Sequence, residues 1–209
     1  MKEKKTTNAP ESFKEIFEAH YTWIEGFNRN VRRYYDRLAM IDPKTNRQWT
    51  YKELDNEVNR LANALLKDGF GKGDVIMVMT QNCPEFAFAY VAPQKIRGVM
   101  SPVSFRLSPG ELAQNLEDSK PKVILFDDKR RDTVLQAVKI AGLKPRRLIV
   151  SDGVTDGDVI SYHDYVEEAS NREPLCEGTH NIYDETTRLY TSGTTGRPKG
   201  VPLTSVNEV

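Results

Sequence analysis

Cysteine is nearly absent. The 209 residues hold two, Cys83 and Cys176, and neither forms a C-x-x-C pair or stands near a histidine cluster. This excludes a disulfide scaffold, argues against a zinc site, and makes a reducing compartment the default. Net charge is absent as well, because 30 Lys and Arg balance 30 Asp and Glu. The basic excess of a typical nucleic-acid binder is therefore missing, and no nucleic-acid partner is expected. No apolar run approaches the length of a bilayer span. The leading stretch MKEKKTTNAPESFKEIF starts basic but lacks the apolar centre of a signal peptide. A cytoplasmic protein with no transmembrane segment is the expectation. There is no internal repeat and no low-complexity tract, and the oligomeric state is not legible.

What is present is a globular balance, 38% hydrophobic and 29% charged, at a length suited to one domain or one and a half. Phe13, Ile16, Phe17, His20, Ile24 and Phe27 recur at spacings of three and four, which predicts one helical face with His20 packed in it. LAMI and RQWT flank DPKTN and read as a hairpin. Thr50 and Glu53 make a capping box for a helix whose buried face is Leu54, Val58, Leu61, Ala62 and Leu65. That helix should end near Asp68-Gly69.

From Val75 a rhythm begins. VIMVM is a short apolar run suited to a strand buried on both faces. Asn82 is read as the cap of a helix from Cys83 to Arg97, with a kink expected at Pro93. VMSPV, KVILFD and RLIV are the next strands. Between them lie a helix opened by the Ser108–Glu111 capping box, with proline at its first position, and another near Thr133–Ala141. The alternation predicts an α/β fold: a parallel-rich βαβ sheet with helices on both faces. Ser151 to Asp158 is glycine-bearing and acidic, but it lacks EF-hand ligand spacing and reads as a surface loop. A short helix near Tyr162 to Ala169 and an irregular stretch to Asn181 follow. We expect residues 1–74 to form an incomplete leading piece and residues 75–209 the α/β unit.

The stretch LYTSGTTGRPKGV, Leu189 to Val201, fails two phosphate-binding templates. Gly193 and Gly196 stand too close for G-x-x-x-x-G-K-[ST], and no helix follows directly, as G-x-G-x-x-G would require. Leu189-Tyr190 reads as a strand end and Val201 to Leu203 as the next strand. Between them the glycines can turn bare N–H groups toward an anion. Ser192, Thr194 and Thr195 offer hydroxyl donors, Lys199 a compact positive charge. A ligand-free polar hairpin would show the same composition. The order T-S-G-T-T-G-x-P-K-G separates the two readings.

That ordered run, Thr191 to Gly200, resembles the signature phosphate loop of the adenylate-forming superfamily, the acyl-CoA synthetase, AMP-dependent synthetase and ligase group. Two further regions are similar to the same family: WTYKELDNEVNRLANALLKDGFGKGDVIMVM, and KIRGVMSPVSFRLSPGELAQNLEDSKPKVILFD. The likeness runs from about Asn28 to the end. The pattern L-S-P-G-E-L-x-x-x-L-E-D-S, Leu107 to Ser119, resembles the acyl-CoA synthetase branch. Ser205 stands where many fatty-acid members carry histidine, which leaves the substrate subclass open.

The resemblance implies a two-step ligase. A carboxylic acid reacts with ATP to give an acyl-adenylate and pyrophosphate, and coenzyme A then displaces AMP. It implies Thr191, Ser192, Gly193, Thr194, Thr195, Gly196 and Lys199 as holders of the ATP phosphates, with Lys199 as the catalytic cation and Mg2+ sharing the charge. Family members continue well beyond a stretch of this length, so the resemblance implies an N-terminal part that does not turn over alone. Two alternatives stay open: an adenylation enzyme that loads an amino or aryl acid onto a carrier protein, and a truncated, non-catalytic nucleotide-binding module. Phe86, Phe88 and Tyr90 could approach an acid pocket, although aromatics on a core helix are more often packing.

Overall fold

The structure, a computed structural model, describes residues 13–191 and 197–208. The chain opens with α1 (Phe13–His20) and α2 (Trp23–Tyr34). The expected single stripe is broken. The Thr22 hydroxyl accepts the Glu25 N–H at 3.3 Å and starts a new helix, so the register slips between the two. Ile24 is buried on the new face, whereas Ile16, Phe17 and His20 are exposed. His20 is thus not a packed core residue.

β1 (Leu38–Ile41) and β2 (Gln48–Thr50) form the expected antiparallel hairpin. Asp42 organises its turn by accepting from the Lys44 N–H and the Thr45 hydroxyl. α3 (Tyr51–Lys67) begins on the capping box: Glu53 N–H donates to the Thr50 hydroxyl at 3.3 Å, and Thr50 N–H to Glu53 Oε2 at 2.8 Å. Gly69, at φ +75°, turns the chain out of this helix.

The α/β unit follows: β3 (Val75–Met79), α4 (Pro84–Lys95), β4 (Val99–Pro102), α5 (Pro109–Ser119), β5 (Val123–Phe126), α6 (Arg131–Ile140), β6 (Arg147–Val150), β7 (Val159–Ser161) and α7 (Tyr162–Val166). An irregular stretch then leads to β8 (Glu185–Thr191), β9 (Lys199–Thr204) and α8 (Ser205–Glu208). Local departures from the sequence reading are small. Cys83, not Asn82, occupies the cap of α4 and makes no side-chain cap bond, because Pro84 at the first helical position presets the backbone. α6 starts at Arg131, ahead of Thr133, from a tight helical turn over Asp128–Arg130. β7 lacked a sequence signal, since three residues are too few to show a period.

Among the described residues the main sheet has seven strands in the order β7-β6-β5-β3-β4-β8-β9, parallel throughout except for the antiparallel β8–β9 pair. From β3 the chain steps one way to β4, then back across to β5 and β6. Right-handed crossovers in opposite directions place helices on opposite faces. Strand residues alternate accordingly. Ile76, Val78, Val123 and Leu125 join the core under α3 and α4, while Met77, Met79, Ile124 and Phe126 join the core under α5 and α6. Both faces are dry, which is why the central strands read as continuous apolar runs. α3 shares its core with β3 and α4, so the leading residues and the α/β unit are packed together.

Candidate phosphate-binding hairpin

Ligands in open parallel sheets bind beyond the carboxyl ends of the strands, where the strand order reverses. The β8–β9 hairpin projects from that end. β8 runs parallel to β4, with Met100 opposite Thr187, and the Ser101 hydroxyl donates to the Arg188 carbonyl at 3.0 Å. Beyond that point β8 pairs only with β9: Leu189 with Val201, Tyr190 with Gly200, and Thr191 with Lys199. Of the seven predicted site residues, Thr191 and Lys199 are described, and the fold sets them directly across from each other. Ser192, Gly193, Thr194, Thr195 and Gly196 lie outside the described residues.

Lys199 and Thr191 are both exposed. Among the described residues Lys199 has no ion-pair partner, so its ammonium is available to an anion. The neighbouring cation is committed: Arg188 makes a bidentate pair with Glu185, both contacts at 2.7 Å. Tyr190, between the two, donates its hydroxyl to Asp118 Oδ2 at 2.7 Å. Burial, reinforced by that carboxylate, pushes the Tyr190 phenol up to about 12, so it stays a protonated donor. Among the described residues no group of three or more His, Cys, Asp or Glu side chains could hold a metal ion. No helix there is long and apolar enough to cross a membrane.

One cavity flanks the hairpin and a second opens on another face. One, of about 350 Å³, lies at the carboxyl end of β4 and is lined by Ser104, Leu107, Asn115, Tyr190, Thr191 and Pro198 among others. The other, of about 670 Å³, lies on the α2–α4 face and is walled by Trp23, Phe27, Leu54, Phe86, Tyr90 and Glu208 among others. Tyr90 stands edge-on to Trp23 at 5.4 Å and shares Glu208 Oε1 with the Thr187 hydroxyl. Phe88 does not join this wall. It is 2% exposed and packs against Trp49 and Tyr162. Of the three aromatics singled out on α4, two line a cavity and one is core. Ser205, at the position where histidine is common, is buried at the start of α8.

Sequence reasoning missed Asp118, Glu208 and Trp23. Each meets the hairpin or one of the two cavities only through the fold; Asp118 falls within the L-S-P-G-E-L-x-x-x-L-E-D-S run, but nothing local in that run points to Tyr190.

The profile of the AMP-binding enzyme family matches residues 27–209. Crotonobetaine/carnitine–CoA ligase of Citrobacter koseri is 32% identical over 203 residues, with 86% of this chain and 37% of the relative covered. Acetyl-coenzyme A synthetase of Beijerinckia indica is 33% identical, covering 83% and 30%; 4-coumarate–CoA ligase 3 of Oryza sativa is 30% identical, covering 80% and 29%. The chain thus spans about a third of the length of these relatives. An anthranilate CoA ligase solved with anthranoyl-AMP shares the fold at TM-score 0.81 and 21% identity, over 92% of this chain and 36% of its own. The inhibitor-bound N-terminal domain of FACL13 from Mycobacterium tuberculosis gives TM-score 0.72 at 26% identity, over 90% and 44%.

Proposed function

Since this chain belongs to the AMP-binding enzyme family, that of the adenylate-forming acyl-CoA ligases, we propose that it carries the ATP-phosphate grip of an AMP-forming ligase joining a carboxylic acid to coenzyme A. One observation supports this above the others. Lys199, exposed and without an ion-pair partner among the described residues, faces Thr191 across a hairpin root at the carboxyl end of a parallel sheet, and between them runs S-G-T-T-G-R-P.

In the first step a carboxylate oxygen of the acid attacks the α-phosphorus of ATP. The bond to the bridging oxygen breaks, and its electrons leave with pyrophosphate. Negative charge grows on the departing group, where a fixed ammonium and hydroxyl donors stabilise it most. Lys199 supplies the ammonium, Thr191, Ser192, Thr194 and Thr195 supply hydroxyls, and Gly193 and Gly196 supply backbone N–H donors. In the second step the coenzyme A thiolate attacks the acyl carbon and AMP leaves. Mg2+ belongs to this reading as the partner of the nucleotide, and no step is assigned to it.

The relatives' names span acetate, coumarate and carnitine, so the acid is best identified by trial. The reading also places residues 1–74 as the leading part and 75–209 as the α/β unit that holds ATP. It places the protein in the cytoplasm, in keeping with two unpaired cysteines. The deciding experiment measures ATP–pyrophosphate exchange and AMP release by the native gene product, with a panel of carboxylic acids, with and without coenzyme A. Acid-dependent exchange, with thioester formed only when coenzyme A is present, is expected. Exchange with no thioester would favour the carrier-loading alternative, and no exchange would end the enzymatic reading. The 209-residue chain alone is expected to give no turnover.

A further inference from the structure

The hairpin root is held from outside its own strands. β9 is the last strand of the sheet, and β8 beyond Arg188 has lost its parallel neighbour. A two-stranded ribbon in that position is free to twist. Asp118, in the last turn of α5, meets Tyr190 there at 2.7 Å. The Asn115 carbonyl lies 3.4 Å from the same hydroxyl, but one proton serves one strong bond, and the shorter contact has it.

Gly200, the cross-strand partner of Tyr190, makes this contact possible. A Cβ at residue 200 would stand 3.0 Å from Asp118 Oδ2, 3.3 Å from Arg188 Cδ and 3.5 Å from Tyr190 Cε1. Its φ is not in the left-handed region, so a side chain at residue 200 would press on Asp118 through space rather than strain the backbone. The next register pair along is Thr191 and Lys199.

We infer that the Asp118–Tyr190 hydrogen bond, seated over the bare Gly200, braces the hairpin against α5 and sets Thr191 and Lys199 where the nucleotide's phosphates bind. Asp118 and Tyr190 are positioning residues, one step removed from the substrate. The inference rests on the phosphate-loop reading above.

The test uses the native gene product in ATP–pyrophosphate exchange. Tyr190→Phe and Asp118→Ala should each raise KM for ATP roughly three- to tenfold, the worth of one partly exposed charge-assisted hydrogen bond. The maximal rate and the melting temperature should stay near those of the parent. The double variant should be no worse than either single one, because both remove the same bond. Gly200→Ala should raise KM as well. An unchanged KM in both single variants, or effects that multiply in the double, would overturn the brace. Amide hydrogen exchange at residues 190–191 and 199–200 decides the matter without nucleotide. Faster exchange in Tyr190→Phe supports the brace, and unchanged exchange overturns it. A parent inactive with every acid would instead refute the phosphate-loop reading, so the two failures are told apart.

Discussion

Lys199 is the residue on which the proposed chemistry turns. It has an exposed ammonium, and its neighbour Arg188 is held by Glu185 and cannot substitute for it. Lys199→Ala should slow ATP–pyrophosphate exchange roughly a hundredfold, in line with loss of one preorganised donor to developing charge. Lys199→Arg should recover little, since a planar fork replaces a compact point charge. Exchange unchanged in the alanine variant would remove Lys199 from the site. The candidacy of this lysine was legible in the sequence because ten consecutive residues carry the pattern. Its lack of an ion-pair partner among the described residues was not, because ion pairing depends on which side chains the fold brings near.

At the scale of elements, two capping boxes start the helices that matter most. α3 covers one face of the sheet, and α5 carries Asp118. Thr50→Ala and Ser108→Ala should each cost about 1 kcal/mol, read from urea unfolding midpoints. Ser108→Ala should also loosen the root of α5 and raise KM for ATP slightly. The partner carboxylates respond to pH. The backbone N–H of Thr50, with the Thr50 hydroxyl, holds Glu53 below its usual range, and Ser108 does the same for Glu111. A lowered folded value means that the contribution is present above the ordinary glutamate range and disappears as pH falls through the lowered one. Melting curves taken downward from neutral pH should show Glu53→Gln and Glu111→Gln less stable than the parent at neutral pH, with the gap closing in acid. A gap independent of pH would contradict the assignment. Both boxes were legible in advance, because a cap is a four-residue affair. The break between α1 and α2 was not: Thr22 inside an apolar stripe gives no sign that its hydroxyl will start a new helix.

Across the whole molecule, distant segments are fastened by an ion cluster around a buried ammonium. Lys95 on α4 has a side chain 1% exposed and bonds Asp55 of α3 at 2.7 Å and Glu173 of the irregular stretch at 2.6 Å. Its ammonium also lies 5.8 Å from the Phe27 ring centre. Lys95→Met keeps the length and removes the charge, leaving two carboxylates without their counter-ion. Because Glu173 is largely solvated, the loss should be about 1–2 kcal/mol, less than for a fully buried pair, measured by denaturant unfolding. A shift within a few tenths of a kcal/mol would show that the cluster is solvated and idle.

By itself the sequence determined the alternation of strands and helices, the caps of α3 and α5, the dry character of the central strands and the place of the glycine-rich run proposed to hold phosphate. These follow from periodicity and short-range hydrogen bonding, which a few adjacent residues contain in full. The tertiary structure alone decided that β3 lies between β5 and β4, and that the hairpin leaves the sheet at its carboxyl end. It alone brought Asp118 to Tyr190 across 72 residues of chain and Lys95 to Glu173 across 78. The reason is physical: sheet order and long-range pairs are set by burying two faces at once, and no single stretch of sequence carries that requirement.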